Sequence, residues 1–476
     1  MLVGRRGPLT WPREQSGAAG RAGQPQLTLR TAARPAEAKH ARRMRTVDLN
    51  LLDELFLSLH SDQEPWGVHF EVGLTGRVAP DHLMRAIRAA ANRHPIARAR
   101  LVPASRSDLG HRWEIPDELD PVPLTIVLCR DAGSLAAARE SLFGTTPSLQ
   151  DGPPFTVLLA VGPAGDTIML NLHHAAGDGT SAMRLMFSIL RAYAGEDDPV
   201  PAIDPLAVRD VRVLAGAASS HDRFLRAQAL RRDIEVRTAA PTTRVARDGG
   251  DGRSGYGFEL VALSAAETAA VLERREPPAT VNDVLLAALA IAVKRWNAGH
   301  RRDSGRIGLT MPVNLRPPAW RDEVVANLAT YTTVSLGVGA QTDLTGAVSA
   351  TAERTRRLKQ DRLAGLVVDL LAGPSLLTVG AKRRLPRLIS LTGNFVVDTA
   401  TLSNLGRVGA APAPGNGAGA VAAAWFSPPM NMPLGAAIGA VTLDDRLHLA
   451  LRYRHPQFGP AAAGAFMALY RDVLLS

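Results

Sequence analysis

The sequence holds a single cysteine, Cys129. An internal disulfide is therefore excluded, and a reducing compartment, the cytoplasm, is expected. Cys129 lies in the apolar stretch "VLCRD", where a thiol reads as a small hydrophobe and not as a nucleophile. Aromatic residues are scarce, at 5%, and none supports the net charge of +10. Residues 1–45 hold ten Lys/Arg against only Glu14 and Glu37, and so account for all but two of those net charges. A nucleic-acid binder carries its basic excess on a folded face with motif or aromatic support, so nucleic acid is excluded as a partner. The opening "MLVGRRGPLTWPREQ" lacks the apolar core of a secretory signal. No Gly-x-Ser-x-Gly elbow occurs, which argues against a serine hydrolase. "GNGAGA" at Gly415 lacks the strand and acidic residue of a dinucleotide loop and reads as a flexible turn. The longest uncharged run, Val408 to Leu443, contains Pro428, Pro429, Asn431 and Pro433. It reads as buried strand and loop, and no transmembrane segment is expected.

What is present is the composition of a soluble globular chain: 476 residues, 46% hydrophobic and 21% charged, long enough for two or three domains. Residues 1–45 lack apolar periodicity and are expected to form a disordered basic tail, with Met44 a candidate start. "VHFEVGLTG" alternates Val68, Phe70, Val72 and Leu74 as a half-buried strand. "LTIVLCRD", "FTVLLAV" and "TIMLNLHH" read as buried strands, and helices are expected over Pro80–Arg93 and Ser134–Phe143. After Gly179, residues Met183, Met186, Phe187 and Leu190 follow helical spacing up to a Gly195 cap. "APTTRVARDGGDGRSG" reads as a flexible linker by composition. Thr280 and Asp283 form a capping box before the apolar "VLLAALAIAVKRW". Asp444 and Asp445 turn a hairpin, and a helix closes the chain. These readings divide the chain into a tail (1–45), an N-terminal subdomain (46–204), a linker (205–255) and a C-terminal subdomain (256–476).

The stretch "NLHHAAGDGTSA" joins an apolar strand to a helix. Consecutive strand residues point to opposite faces, so His173 and His174 diverge and no metal site is expected. A pair of satisfied core histidines is the plain reading. Against it stand the small-residue gap, Asp178 four residues on, and Gly179, which permits a special backbone conformation or a close approach. Such a loop holds one imidazole rigidly, and the positive end of the following helix favours its neutral form. His174 is thus a candidate general base for removing a proton from an alcohol, amine or thiol, and Ser181 is an ordinary residue of the helix start.

"HHAAGDG" resembles the His-His-x-x-x-Asp-Gly signature of the superfamily containing chloramphenicol acetyltransferase, peptide-synthetase condensation domains, wax ester synthase/diacylglycerol acyltransferases and polyketide-associated acyltransferases. "TVNDVLLAALAIAVKRW", "MPVNLRPP" with "VANLATYTTVSL", "TLSNLG" and "NRHPIARARL" are similar to further segments of that superfamily. The resemblance runs from about Thr46 to the C-terminus. Carrier and adenylation domains and the Tyr-rich middle motif are not found, which suggests a free-standing acyltransferase. The resemblance implies an α/β fold of two chloramphenicol-acetyltransferase-like subdomains, mixed sheets flanked by helices, forming a V around an active-site tunnel. It implies His174 as the base, His173 and Gly179 as support, and Asp178 as a structural partner of Arg316. Asn314, Ser403 and Asn404 would line the substrate channel, "TLSNLG" being a channel loop. It implies direct transfer from acyl-CoA or a phosphopantetheinyl-carrier thioester, used as cosubstrate with no resident cofactor, to a hydroxyl or amine of a small-molecule acceptor. An acyl-carrier protein is a candidate partner of a monomer. The basic stretch Ala381–Arg387 beside "LAGLVVDLLAGPSLL" is a candidate for a carrier, for CoA phosphates or for peripheral membrane contact, with a solvated helix end as the alternative. The competing function is a catalytically silent domain of the same fold that recruits protein partners.

Overall fold

The computed structural model describes residues 44–61, 63–198, 203–238, 240–250, 252–320, 324–373, 375, 377–382, 397–409, 411–430 and 434–476. The expected tail, up to residue 43, lies outside them. So do Asn431 and Pro433 and most of the basic stretch 381–387.

The first half runs β1 (Arg45–Asp48), α1 (Leu51–Leu59), β2 (Gly67–Leu74), α2 (Pro80–Arg93), β3 (Arg100–Leu101), β4 (Arg112–Ile115), β5 (Leu124–Leu128), α3 (Ala132–Phe143), β6 (Phe155–Val161), β7 (Thr167–His173) and α4 (Gly179–Ala194). Two helices follow, α5 (Val211–Ala215) and α6 (Ser220–Thr238). The second half runs β8 (Tyr256–Ala262), α7 (Ala265–Glu273), α8 (Val281–Gly299), β9 (Ile307–Asn314), β10 (Ala329–Leu336), α9 (Leu344–Gln360), α10 (Leu363–Ala372) and α11 (Val379–Lys382). It ends with β11 (Ala400–Arg407), β12 (Val421–Ser427), β13 (Ala437–Leu443), β14 (Arg446–Arg454) and α12 (Pro460–Leu475).

Two mixed sheets carry the fold, one ordered β12-β2-β7-β6-β5 and one β10-β9-β11-β13-β14-β8, with a small β1-β4-β3 sheet beside them. Each large sheet has its own hydrophobic core. In the first, Val68, Phe70 and Val72 pack with residues of α2 and α4. In the second, α8 is buried on every side from Val284 to Val293, as a helix apolar all round must be. The cores are stitched together by β12, which comes from the second half of the chain and completes the first sheet antiparallel to β2.

Local signals shape the ends of these elements. Asp178 caps α4 by accepting from Ser181 N, and Gly195 ends it with φ of 76°. Thr280 and Asp283 form the capping box of α8. Asp444 and Asp445 take positive φ between β13 and β14, as a tight hairpin turn requires.

Four readings are corrected. β2 is not half-buried: its second face is covered too, where Arg139 of α3 forks onto Glu71 at 2.7 Å and Phe143 stacks on His69 at 4.1 Å. β5 is not buried: it is the sheet edge, with Ile126 and Leu128 49% and 65% exposed. The linker near Val245 is not a free coil, because Val245 and Ala246 are buried and Ala246 N donates to Asn297 Oδ1. In the same segment Thr243 N donates to Arg306 O and Asp248 N to Gln457 O. "TLSNLG" is a strand, β11, lying parallel between β9 and β13.

Candidate active site

β7 ends at His173, directly across from Gly67 at the start of β2. From there the backbone turns away from the sheet, and the two imidazoles part. His173 stays at the strand end, 1% exposed; its Nδ1 accepts from Ala175 N at 3.1 Å, and its ring meets His60 edge-on. His174 turns toward α1, where it stacks on Phe56 with ring centroids 3.7 Å apart, and Trp66 lies 5.7 Å away.

The tautomer of His174 follows from its partner. Nδ1 lies 3.0 Å from Gly177 O, and a carbonyl can only accept, so Nδ1 carries the proton and the lone pair sits on Nε2. No group among the described residues donates to that lone pair. Its backbone is held at both ends, N–H to Trp66 O at 2.8 Å and C=O from Asn327 Nδ2 at 2.6 Å. Burial lowers its pKa to about 4, against the opposing pull of Asp178, so the ring is neutral at pH 7. It is a base already in the form that accepts a proton.

Asp178 has both oxygens filled. Oδ2 accepts from Arg316 Nη1 at 2.7 Å and from Leu328 N at 2.9 Å; Oδ1 accepts from Arg316 Nη2, Ser181 N and Ser181 Oγ, each at 3.0 Å. Burial alone would raise this carboxyl, but the Arg316 charge and these donors outweigh it and hold its pKa below the usual value. Arg316 also donates to Ala326 O at 2.7 Å and to Asn314 Oδ1 at 3.3 Å. The guanidinium therefore ties the histidine loop to residues 324–328 of the second half. Gly179 serves close approach: a Cβ there would stand 2.7 Å from Phe426 and 2.9 Å from Leu405.

The remaining sequence-derived positions are placed less directly. Asn314 is exposed and holds the Arg316 turn through Arg316 N at 3.0 Å. Ser403 and Asn404 lie on β11, where Asn404 Oδ1 accepts from Gly406 N; neither bonds to His174 or Asp178. Their neighbour Leu405 is the β11 residue that reaches the start of α4.

Several site residues escaped the sequence reading. Asn327 links His174 O to Asp53 Oδ1 (3.0 Å), and Asp53 is further held by Trp113 and Arg209; burial pushes the Asp53 carboxyl up against the Arg209 charge. Ser181, read as an ordinary helix residue, joins the halves: its Oγ accepts from Ala326 N at 3.0 Å and lies 2.8 Å from Ala326 O. Asn327 stands inside the quoted "VANLAT", but nothing local marks an asparagine as the brace of a histidine 153 residues away. Among the described residues, no three His, Cys, Asp or Glu side chains converge to hold a metal ion. None of the described helices is long and apolar enough to cross a membrane.

Neutral burial of histidines has a measurable consequence. His69, His94, His173 and His174 all have pKa values below the usual 6.5, mainly through burial. Unfolding frees them to take protons below about pH 6.5. Their stabilising contribution is thus complete above that pH and is lost as the pH falls toward the folded values, about 4 for His174. Each should add a slope of about 1.4 kcal/mol per pH unit in that window. Denaturant unfolding at pH 5 should give a clearly lower stability than at pH 7, and equal values would contradict the neutral burial.

No family model matches the chain. Solved structures define its fold class. The first condensation domain of the calcium-dependent antibiotic synthetase, in complex with a substrate analogue, aligns with a TM-score of 0.67 at 16% identity, over 90% of this chain and 96% of that one. The epimerization domain from the third module of tyrocidine synthetase B aligns with a TM-score of 0.60 at 17% identity, over 92% and 98%. The X-domain from teicoplanin biosynthesis, solved in complex with OxyB, gives 0.57 at 18% identity over 96% of each chain. The chain thus has the condensation-domain fold, two chloramphenicol-acetyltransferase-like subdomains of mixed sheet flanked by helices. It belongs to the family of "Uncharacterized protein Rv2305" of Mycobacterium tuberculosis (strain ATCC 25618 / H37Rv), to which it is 38% identical over 437 residues, 90% of this chain and 99% of that protein.

Proposed function

We propose that the protein is an acyltransferase that moves an acyl group from a thioester to a hydroxyl or amine, with His174 as general base. The observation that carries this reading is the neutral imidazole whose Nδ1–H is fixed on Gly177 O and whose Nε2 lone pair has no donor among the described residues. The acceptor X–H attacks the thioester carbonyl while Nε2 takes its proton. The tetrahedral intermediate then collapses, the C–S bond breaks, and the leaving thiolate takes the proton back from the imidazolium. Asp178 beside the ring, and Gly177 O on Nδ1–H, both favour the transient imidazolium.

Acyl-CoA or a carrier-bound acyl group serves as donor in this reading, and a lipid alcohol, polyketide, sugar or amine as acceptor. The test is thiol release from a panel of acyl-CoA and acyl-carrier thioesters with and without alcohols and amines, followed by the product mass. Acceptor-dependent thiol release with a matching ester or amide mass is expected. A panel in which no thioester is consumed would favour the recruitment role, for which the fold shared with the X-domain in complex with OxyB is the supporting observation.

A further inference from the structure

Arg452 of β14 is 0% exposed, the most deeply buried of the described arginines. Among the described residues no carboxylate bonds to it, and its Nε has no partner. Glu64, whose charge acts on it, is taken by Arg454 at 2.7 Å and by Tyr256 Oη at 2.8 Å. Burial lowers the Arg452 pKa to about 10, so the guanidinium stays charged at pH 7. A buried cation without an ion-pair partner is costly, and what this one holds explains why the chain keeps it.

The fork reaches from the second half of the chain to the first. Nη2 donates to Pro65 O at 3.1 Å and Nη1 to Gly67 O at 3.4 Å. These carbonyls flank Trp66, whose own carbonyl accepts His174 N at 2.8 Å and whose ring lies 5.7 Å from the imidazole. Strand geometry leaves Gly67 O open to this contact. The β12 ladder on β2 ends at the Ser427–His69 pair, and carbonyls facing one neighbour recur every second residue, so Gly67 O is the next in line. The Tyr256 ring, 4.1 Å from Cζ, holds the guanidinium from one face. An ammonium cannot span both carbonyls as this fork does.

We infer that Arg452 is a positioning residue for His174, acting through the carbonyls on either side of Trp66; the inference rests on His174 being the base. Arg452→Met removes the fork, and Arg452→Lys keeps the buried charge while reaching one carbonyl at most. On the thioester and acceptor that the wild type consumes, both should lower kcat roughly tenfold to 10²-fold, the cost of a misplacement of about 1 Å. KM should change little. Both variants should also raise the His174 pKa from about 4 toward the free value of about 6.5, as water reaches a ring that Trp66 no longer covers. Asp178, whose charge also acts on that ring, is untouched. The titration is followed by imidazole NMR of histidine-labelled protein, with His174 assigned from the His174→Ala spectrum. Arg452→Lys carries the test where Arg452→Met does not fold. The assignment is overturned if a folded variant matches the wild type in kcat or leaves the His174 pKa unmoved. A wild type that consumes no thioester refutes the acyl-transfer reading instead. The titration then decides alone: an unmoved pKa overturns the assignment and a raised one upholds it.

Discussion

His174→Ala should lower acyl transfer by roughly 10²–10⁴-fold, the usual contribution of a positioned general base. The ring makes only one side-chain hydrogen bond, to Gly177 O, and its neighbours Phe56 and Trp66 remain to cover the gap. Folding, followed by far-ultraviolet circular dichroism, should therefore survive. His173→Gln should behave oppositely. That side chain accepts Ala175 N at the buried strand end, so the denaturation midpoint should drop while turnover falls far less. Wild-type turnover in the His174 variant would remove the proposed mechanism.

The second large effect lies at the seam. Asp178 and Arg316 are almost fully buried and 2.7 Å apart, and a guanidinium fork on a carboxylate is both strong and directional. Removing one member strands the other charge away from water, at a cost of about 3–5 kcal/mol. Asp178→Ala and Arg316→Ala should each lower the denaturation midpoint. The double variant should be less destabilised than the two singles combined, because neither charge is then left alone. Arg316→Lys should rescue little, since an ammonium cannot span Asp178 Oδ1, Asp178 Oδ2 and Ala326 O together. Turnover should fall in every case, because the pair and Leu328 N anchor the loop that presents His174. A cycle of denaturation curves with strictly additive free energies would show that the two residues do not act as a unit.

Much of this site was legible before any fold was known. Period-2 logic separates His173 from His174 without coordinates, and the structure has them facing different neighbours, His60 and Phe56. The start of α4 was readable because capping is a matter of the next three residues: Asp178 meets Ser181 N, and Gly195 closes the helix. The same holds for the Thr280 capping box and the Asp444–Asp445 turn. In each case the partners are near in sequence, so residue type and spacing carry the whole interaction.

Other features depended on which elements become neighbours. β5 has the composition of a buried strand, yet it is an edge, because nothing in "LTIVLCRD" specifies whether another strand lies beyond it. β2 alternates like a half-buried strand, yet α3 covers its second face with a side chain, Arg139, that makes an ion pair there. The Val245 segment has linker composition but is pinned through Asn297 and Arg306. Asn327 and Ser181 became site residues through contacts between the two halves of the chain, and Phe56 through the packing of α1 on the histidine loop.

The sequence by itself determined the histidine loop and its helix, since these rest on backbone geometry within a few residues. The tertiary structure decided what holds that loop and what its imidazole faces. Those contacts join positions more than 100 residues apart, and hydrophobic periodicity reports that a face is buried without saying against what.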